Sequence, residues 1–209
     1  MIVKDFEFYV GGIEDAIIQS LRDGCEYARD VSAYSGELDE ENLRRALEEM
    51  SSRFPLFLVS YTDGQDRDRG ALGPEVIGAP REIRHDCTFS VICCDDNARG
   101  EQARRRGAPG SVGVFQMISD AREILSRVQF ELVEEGERHL LNPEPLNPAG
   151  IEHIAHLPAQ TAYVQHFDTF FIVTTPDRRT PGAQVKEIVI DTNLNATVGV
   201  PLLPGVTNK

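Results

Sequence analysis

Apolar positions along the chain recur with two periods. From Gly12 onward, Ile13, Ala16, Ile17, Leu21 and Cys25 fall on one helical face, and Glu14, Asp15, Gln19, Arg22 and Asp23 fall on the other. That spacing predicts an amphipathic helix. A second helix is expected from Asp39, an N-cap residue bracketed by Leu38 and Leu43 in the manner of a hydrophobic staple. Leu43, Ala46, Leu47 and Met50 continue its stripe, and its acidic residues crowd the first turn, where the helix dipole favours them. A third helix is expected after Ser111, with Val114, Met117, Ile118, Ala121 and Leu125 inside and Asp120, Arg122 and Glu123 outside. Between these helices, 54–62 (FPLFLVSYT) and 87–94 (CTFSVICC) are apolar on both faces, as central strands are. Two further strand-like runs are 162–175 and 185–191.

The remaining segments read as connections. Residues 63–85 are rich in Gly, Pro and charge and lack a clear period, which predicts a long loop at the tip of a hairpin formed by the first two strands. An ordered loop of that length is expected to pack against something, such as a neighbouring subunit. A linker rich in Glu and Pro follows the third helix, and 192–209, with Pro201 and Pro204, reads as an extended C-terminal arm. The order helix, helix, strand, strand, helix, strands predicts an α+β fold. Its sheet is mostly antiparallel with helices packed on one face, and one domain spans residues 1–191.

Charge and composition narrow the function classes. The 209 residues carry a net charge of −13, with a pI near 4.8. A dedicated nucleic-acid binder needs clustered Lys and Arg to neutralise phosphates, so this balance argues against one. No apolar run approaches the roughly 20 residues that span a bilayer, and no membrane partner is expected. The N-terminal MIVKDFEFYV lacks the basic and apolar regions of a signal peptide, so synthesis in a cytoplasm is expected. In that compartment Cys25, Cys87, Cys93 and Cys94 are expected as buried thiols. Cys93 and Cys94 are adjacent and point to opposite faces of a strand, so they cannot chelate one metal.

Candidate catalytic chemistry is thin. His153 and His156 form HxxH, but the spacing is one short of the zinc helix HExxH and no Glu intervenes. Neither a GxSxG elbow nor a P-loop occurs. The glycines at 107, 110 and 113 precede a helix without forming GxGxxG. No catalytic, cofactor-binding or metal-ligating residue is therefore assigned. The sharpest local anomaly is a run of arginines, Arg99, Arg104, Arg105 and Arg106, in an acidic chain. It fits a solvated turn, a nucleic-acid contact, or an edge that docks on the acidic surface of the next copy of the chain. The acidic counterpart for docking is the second helix, with Glu40, Glu41 and Glu48. Complementary patches on one chain favour self-association, and a head-to-tail contact that closes makes a ring.

Several motifs together resemble the Mu-like phage tail terminator (tail-completion) family. The opening helix GGIEDAIIQSLRD, then YSGEL at 34–38, then a helix ending before FPLFLVSY match the first half of that family. An Arg-Gly-Glu turn follows at Arg99, Gly100 and Glu101. An Arg- and Ala-rich piece then ends at Gly107, and Gly113, Val114, Phe115 and Gln116 open a helix. The resemblance covers roughly residues 11–130. It implies a structural virion protein without enzymatic activity, assembled as a homohexameric ring on the head-proximal end of a contractile tail. Its implied partners are further copies of itself, the tail tube, the sheath and the head–tail connector. Genome DNA would pass through the lumen without specific binding. Another head–tail joining protein, such as a stopper, is the alternative within that class. A small cytoplasmic enzyme using Cys or His is the alternative outside it.

Overall fold

The computed structural model describes residues 6–34, 45, 53–71, 81–96, 100–134, 136–156 and 160–175. Of the expected second helix only Arg45 is described; Glu40, Glu41 and Glu48 lie outside the described residues, as do Arg99, the strand-like run 185–191 and the C-terminal arm. The described elements are α1 (Phe6–Gly24), β1 (Asp30–Ala33), β2 (Leu56–Ala71), β3 (Arg81–Asp95), α2 (Glu101–Arg106), α3 (Val114–Leu125), β4 (Glu131–Glu134), β5 (Glu137–Leu140), β6 (Asn147–His156) and β7 (Thr161–Thr175). Five strands form a sheet in the order β1-β2-β3-β7-β6, while β4 and β5 pair as a separate hairpin. Only β1–β2 is parallel; the other pairs are antiparallel. The chain is α+β, with α1 and α3 against one face of a mostly antiparallel sheet.

Alternation along the central strands builds two apolar surfaces. Phe57 and Val59 of β2, Phe89, Val91 and Cys93 of β3, and Phe167 and Phe171 of β7 face the helices. Ile13, Ile17 and Leu21 of α1 and Val114, Met117, Ala121 and Leu125 of α3 meet them, all fully buried. Each large side chain so buried contributes about 1.5–3 kcal/mol of transfer free energy. Leu56, Leu58, Ile92, Cys94, Ala162 and Val164 make a smaller cluster on the opposite face, at one end of the sheet. Arg22 ties α1 to the edge strand by donating from Nε and Nη2 to the Val31 carbonyl, at 3.0 and 2.6 Å.

Three expectations change. First, α1 begins at Phe6 instead of Gly12. Its first turns are anchored by rings: Phe6 stands edge-on to His85 at 4.9 Å, and Tyr9 stacks on Phe171 at 5.1 Å. Gly12 sits inside the helix because Leu141 occupies the space of its missing side chain, 3.1 Å from an ideal Cβ. Second, much of the expected loop 63–85 is strand. β2 continues to Ala71 and β3 starts at Arg81, and their paired register extends a hairpin arm against β7. Third, the Glu- and Pro-rich linker contains β4, β5 and β6. Pro148 is tolerated because β6 is an edge strand.

Candidate functional site

The arginine stretch folds as a short helix, a tight loop and a long helix. Arg104 is buried within its own subunit, at 6% exposure, where α2 packs against α3 and β7. Arg105 and Arg106 reach the surface. Arg105 lies 3.5 Å from Glu101 one turn earlier, and its guanidinium sits over the Phe115 ring, 5.0 Å from the centroid. The structure thus leaves two of the four arginines on a described surface and turns one inward.

The loop between α2 and α3 is closed by backbone. Gly107 has φ +83°, and a Cβ on Gly113 would lie 2.1 Å from the Gly107 nitrogen and 2.6 Å from the Arg106 carbonyl carbon. Only a residue without a side chain permits that crossing. The amides of Gly107, Ala108 and Ser111 donate to the carbonyls of Ala103, Ser111 and Ala108, at 2.7, 3.0 and 2.8 Å. A phosphate cradle needs such amides pointing at the ligand. Here they close the loop and set the start of α3.

Nucleophile chemistry is equally enclosed. All four thiols are buried. Burial raises each above its usual range, and Cys87 is pushed up to about 12. A thiol held protonated is a poor nucleophile. The strand register adds a serine–histidine pair that motif scanning misses: Ser90 Oγ is 2.8 Å from His166 Nδ1, and His166 Nε2 is 3.8 Å from Glu152. Ser90 is 2% exposed and also hydrogen-bonded to Thr62, so no substrate carbonyl can reach it. His85 joins Asp66 at 2.5 Å and the Tyr61 hydroxyl at 2.9 Å, with Phe6 edge-on to its ring. Burial raises the Tyr61 hydroxyl, and the trio locks the root of the hairpin arm. His153 stands exposed on β6, edge-on to Tyr163 at 4.8 Å. Among the described residues no group of three His, Cys, Asp or Glu could hold a metal.

On the opposite face of the arm, a cleft of 330 Å³ is lined by charges, among them Arg67, Arg84, Asp86, Glu144 and Asp168. Both arginines are paired with carboxylates, and Asp168 accepts from the Thr88 hydroxyl at 2.8 Å. Arg84 pairs with Asp86 and with Glu144 at 3.5 Å, Arg67 pairs with Asp86 at 2.6 Å, and Arg84 stacks over Phe170 at 3.7 Å. These pairs tie the outer parts of β2 and β3 to each other and to Glu144.

The exposed apolar residues form a different kind of site. Phe115 and Ile151 are 38% and 48% exposed and, with Ile118, Ser119 and Arg122, line a groove of 460 Å³ between α3 and β6. Leu132, Val133 and Leu140, at 36%, 64% and 43%, lie on the β4–β5 hairpin. Neither patch was visible in the sequence. Phe115 sits outside the α3 stripe, and the hairpin lay in a segment read as linker.

Among curated proteins none matches the chain. A family model described as "Bacteriophage Mu, Gp37" matches residues 9–173, from the first turns of α1 to the last of β7. That span includes the Gly107–Gly113 crossing and both exposed apolar patches. The chain therefore belongs to the Bacteriophage Mu, Gp37 family and is a phage structural protein.

Proposed function

We propose that this protein is the tail terminator of a Mu-like contractile tail. It acts as a ring, of six copies, that caps the head-proximal end, stops tube and sheath growth and offers a surface to the head–tail connector. The observation that carries the reading is the family match across residues 9–173, which spans the Arg-Gly-Glu turn and the glycine-closed approach to α3. The exposed Phe115, Val133, Leu140 and Ile151 leave apolar surface open to contact with further copies. A net charge of −13 suits a lumen that lets DNA pass without gripping it. Enclosed thiols and a buried Ser90 speak against the Cys or His enzyme.

The mechanism is geometric. A rigid sheet carries α1 and α3 on one face, so each subunit presents fixed surfaces, and a ring of fixed surfaces ends a polymer that otherwise adds indefinitely. The test is tail length. Particles assembled without this chain should carry tubes of irregular, excessive length, and supplying the chain should restore one length. Uniform tails in its absence would remove the reading. Heads and tails that are each complete but unjoined would favour the stopper instead.

A further inference from the structure

We infer that residues 39–50 form a helix lying across the second face of the sheet, opposite α1 and α3, so that the chain itself closes this face. The inference goes beyond the ring reading and does not depend on it. The face is a patch of two rungs across three strands. Leu56, Cys94 and Ala162 are register neighbours in one rung, and Leu58, Ile92 and Val164 in the other. Each is at most 5% exposed. An antiparallel sheet with one face open to water carries polar residues on that face. This patch is apolar and buried, so it is covered. Yet the cluster draws no residue from α1, α2 or α3; its other members are Phe54 and, at its margin, Tyr34 and Ile154.

The path of the chain identifies the cover. The longer runs outside the described residues are 35–52, interrupted by the described Arg45, 72–80 and 176–209. The first leaves from Tyr34, whose amide donates to the Val59 carbonyl at 2.7 Å, and returns toward Phe54, so both its ends lie at the patch. The second leaves and rejoins at Ala71 and Arg81, on the order of 40 Å from Leu58 along β2, too far for its length to go and come back. The third leaves from Thr175, at that same distant end of the arm, and its sequence reads as strand and extended arm.

The 35–52 run also supplies the matching surface. Leu43, Ala46, Leu47 and Met50 fall at i, i+3, i+4 and i+7, one apolar side of a helix. Three strands at about 4.8 Å spacing make a patch about 10 Å across, the width of one helix. Arg45 is helical and exposed. Its position falls on the side away from the stripe, as an inward-facing stripe requires. The same period puts Glu41 and Glu48 on that outer side with Arg45. Arg105 sits over Phe115, which is edge-on to Tyr163 on the α1–α3 side of the sheet. The sheet thus separates these acidic positions from Arg105 within one copy, and any pairing between them joins two copies.

Cys94 is the reporter for the test, because it lies in the patch while Cys25, Cys87 and Cys93 belong to the cluster beneath α1 and α3. Thiol labelling of the full chain, mapped by mass spectrometry, compares Leu47→Asp with wild type. The variant should label Cys94 on the order of tenfold faster or more, since labelling of a buried thiol follows local opening, while the other three stay protected. Ile188→Asp with Ile190→Asp, in the C-terminal run, should leave Cys94 as slow as in wild type. A second measurement decides the matter if Leu47→Asp unfolds and exposes every thiol. Leu43→Cys, Ala46→Cys, Leu47→Cys and Met50→Cys, each alone, are treated with a short thiol–thiol crosslinker, and at least one should join to Cys94 within a monomer. A folded Leu47→Asp protein whose Cys94 labels no faster than wild type overturns the inference. Exposure of Cys94 by the Ile188 and Ile190 changes overturns it too, because the C-terminal run is then the cover. So does crosslinking of the new cysteines to Cys25 or Cys87 alone, or to none of the native thiols.

Discussion

Replacing Gly113 with Ala should damage the fold more than any other conservative change in the arginine stretch. The added Cβ would lie 2.1 Å from the Gly107 nitrogen, 2.6 Å from the Arg106 carbonyl carbon and 2.9 Å from the Arg105 carbonyl carbon. All three are backbone atoms, so no flexible side chain can swing aside. Relief requires separating the loop from α2, which breaks the reciprocal Ala108–Ser111 pair at 3.0 and 2.8 Å. Two hydrogen bonds at about 1 kcal/mol each, with an overpacking cost of about 1–3 kcal/mol, give a loss of about 3–5 kcal/mol. For a chain of this size that lowers Tm by roughly 6–20 °C. Two other glycines provide the scale. Gly110 has φ +78° but open space around its Cβ position, so Gly110→Ala should cost only the left-handed backbone term, about 1–2 kcal/mol. Gly11 lies inside α1 with nothing within 4 Å, so Gly11→Ala should stabilise by about 0.5–1 kcal/mol. Calorimetry on the three variants should rank them Gly11→Ala, Gly110→Ala, Gly113→Ala, from most to least stable. A Gly113→Ala protein melting within about 2 °C of wild type would refute the close crossing and the need for a glycine at that position.

Four further outcomes are expected. Ellman's reagent at pH 8 should label almost no thiol in the native protein and all four after denaturation, because Cys25, Cys87, Cys93 and Cys94 are buried and free; rapid labelling of one native thiol would contradict their enclosure. Stability to urea should be full below pH 9 and fall as the pH rises toward 12, since the unfolded chain sheds the Cys87 proton near 9 while the folded chain holds it to about 12; an increase over that window would reverse the sign. Phe89→Ala, at a position with no exposure, should cost about 3–5 kcal/mol, read from the urea midpoint at unchanged slope. Arg105→Glu with Arg106→Glu should weaken assembly without unfolding the protein. Arg104→Glu should instead lower the melting temperature, because that side chain is buried; equal thermal effects from the two changes would undo the distinction.

Periodicity disclosed the parts of the fold held by apolar burial. Ile13, Ile17 and Leu21 announced α1, Val114 to Leu125 announced α3, the doubly apolar runs 54–62 and 87–94 announced β2 and β3 as central strands, and 162–175 announced β7 as a strand. Elements held by other forces stayed hidden. The outer halves of β2 and β3 carry Asp63, Gln65, Arg67, Arg84 and Asp86 in place of an apolar alternation, and Arg67, Arg84 and Asp86 fix the arm through ion pairs. The first turns of α1 depend on Phe171 and His85, distant in sequence, so a helix break at Gly11–Gly12 was the natural local reading. Three consecutive arginines look alike in sequence. Which one turns inward depends on how α2 sits against α3 and β7. The apolar groove and hairpin were illegible for a related reason, since exposure belongs to the folded chain and Phe115, Val133 and Ile151 resemble core residues in sequence.

The most direct test of the central claim is the position of this chain in an assembled tail. Cryo-electron microscopy of complete tails, with the chain traced in the density, should place a single closed ring of it at the head-proximal end of the tube. Finding the chain along the tube, at the opposite end, or missing from complete tails would contradict the account.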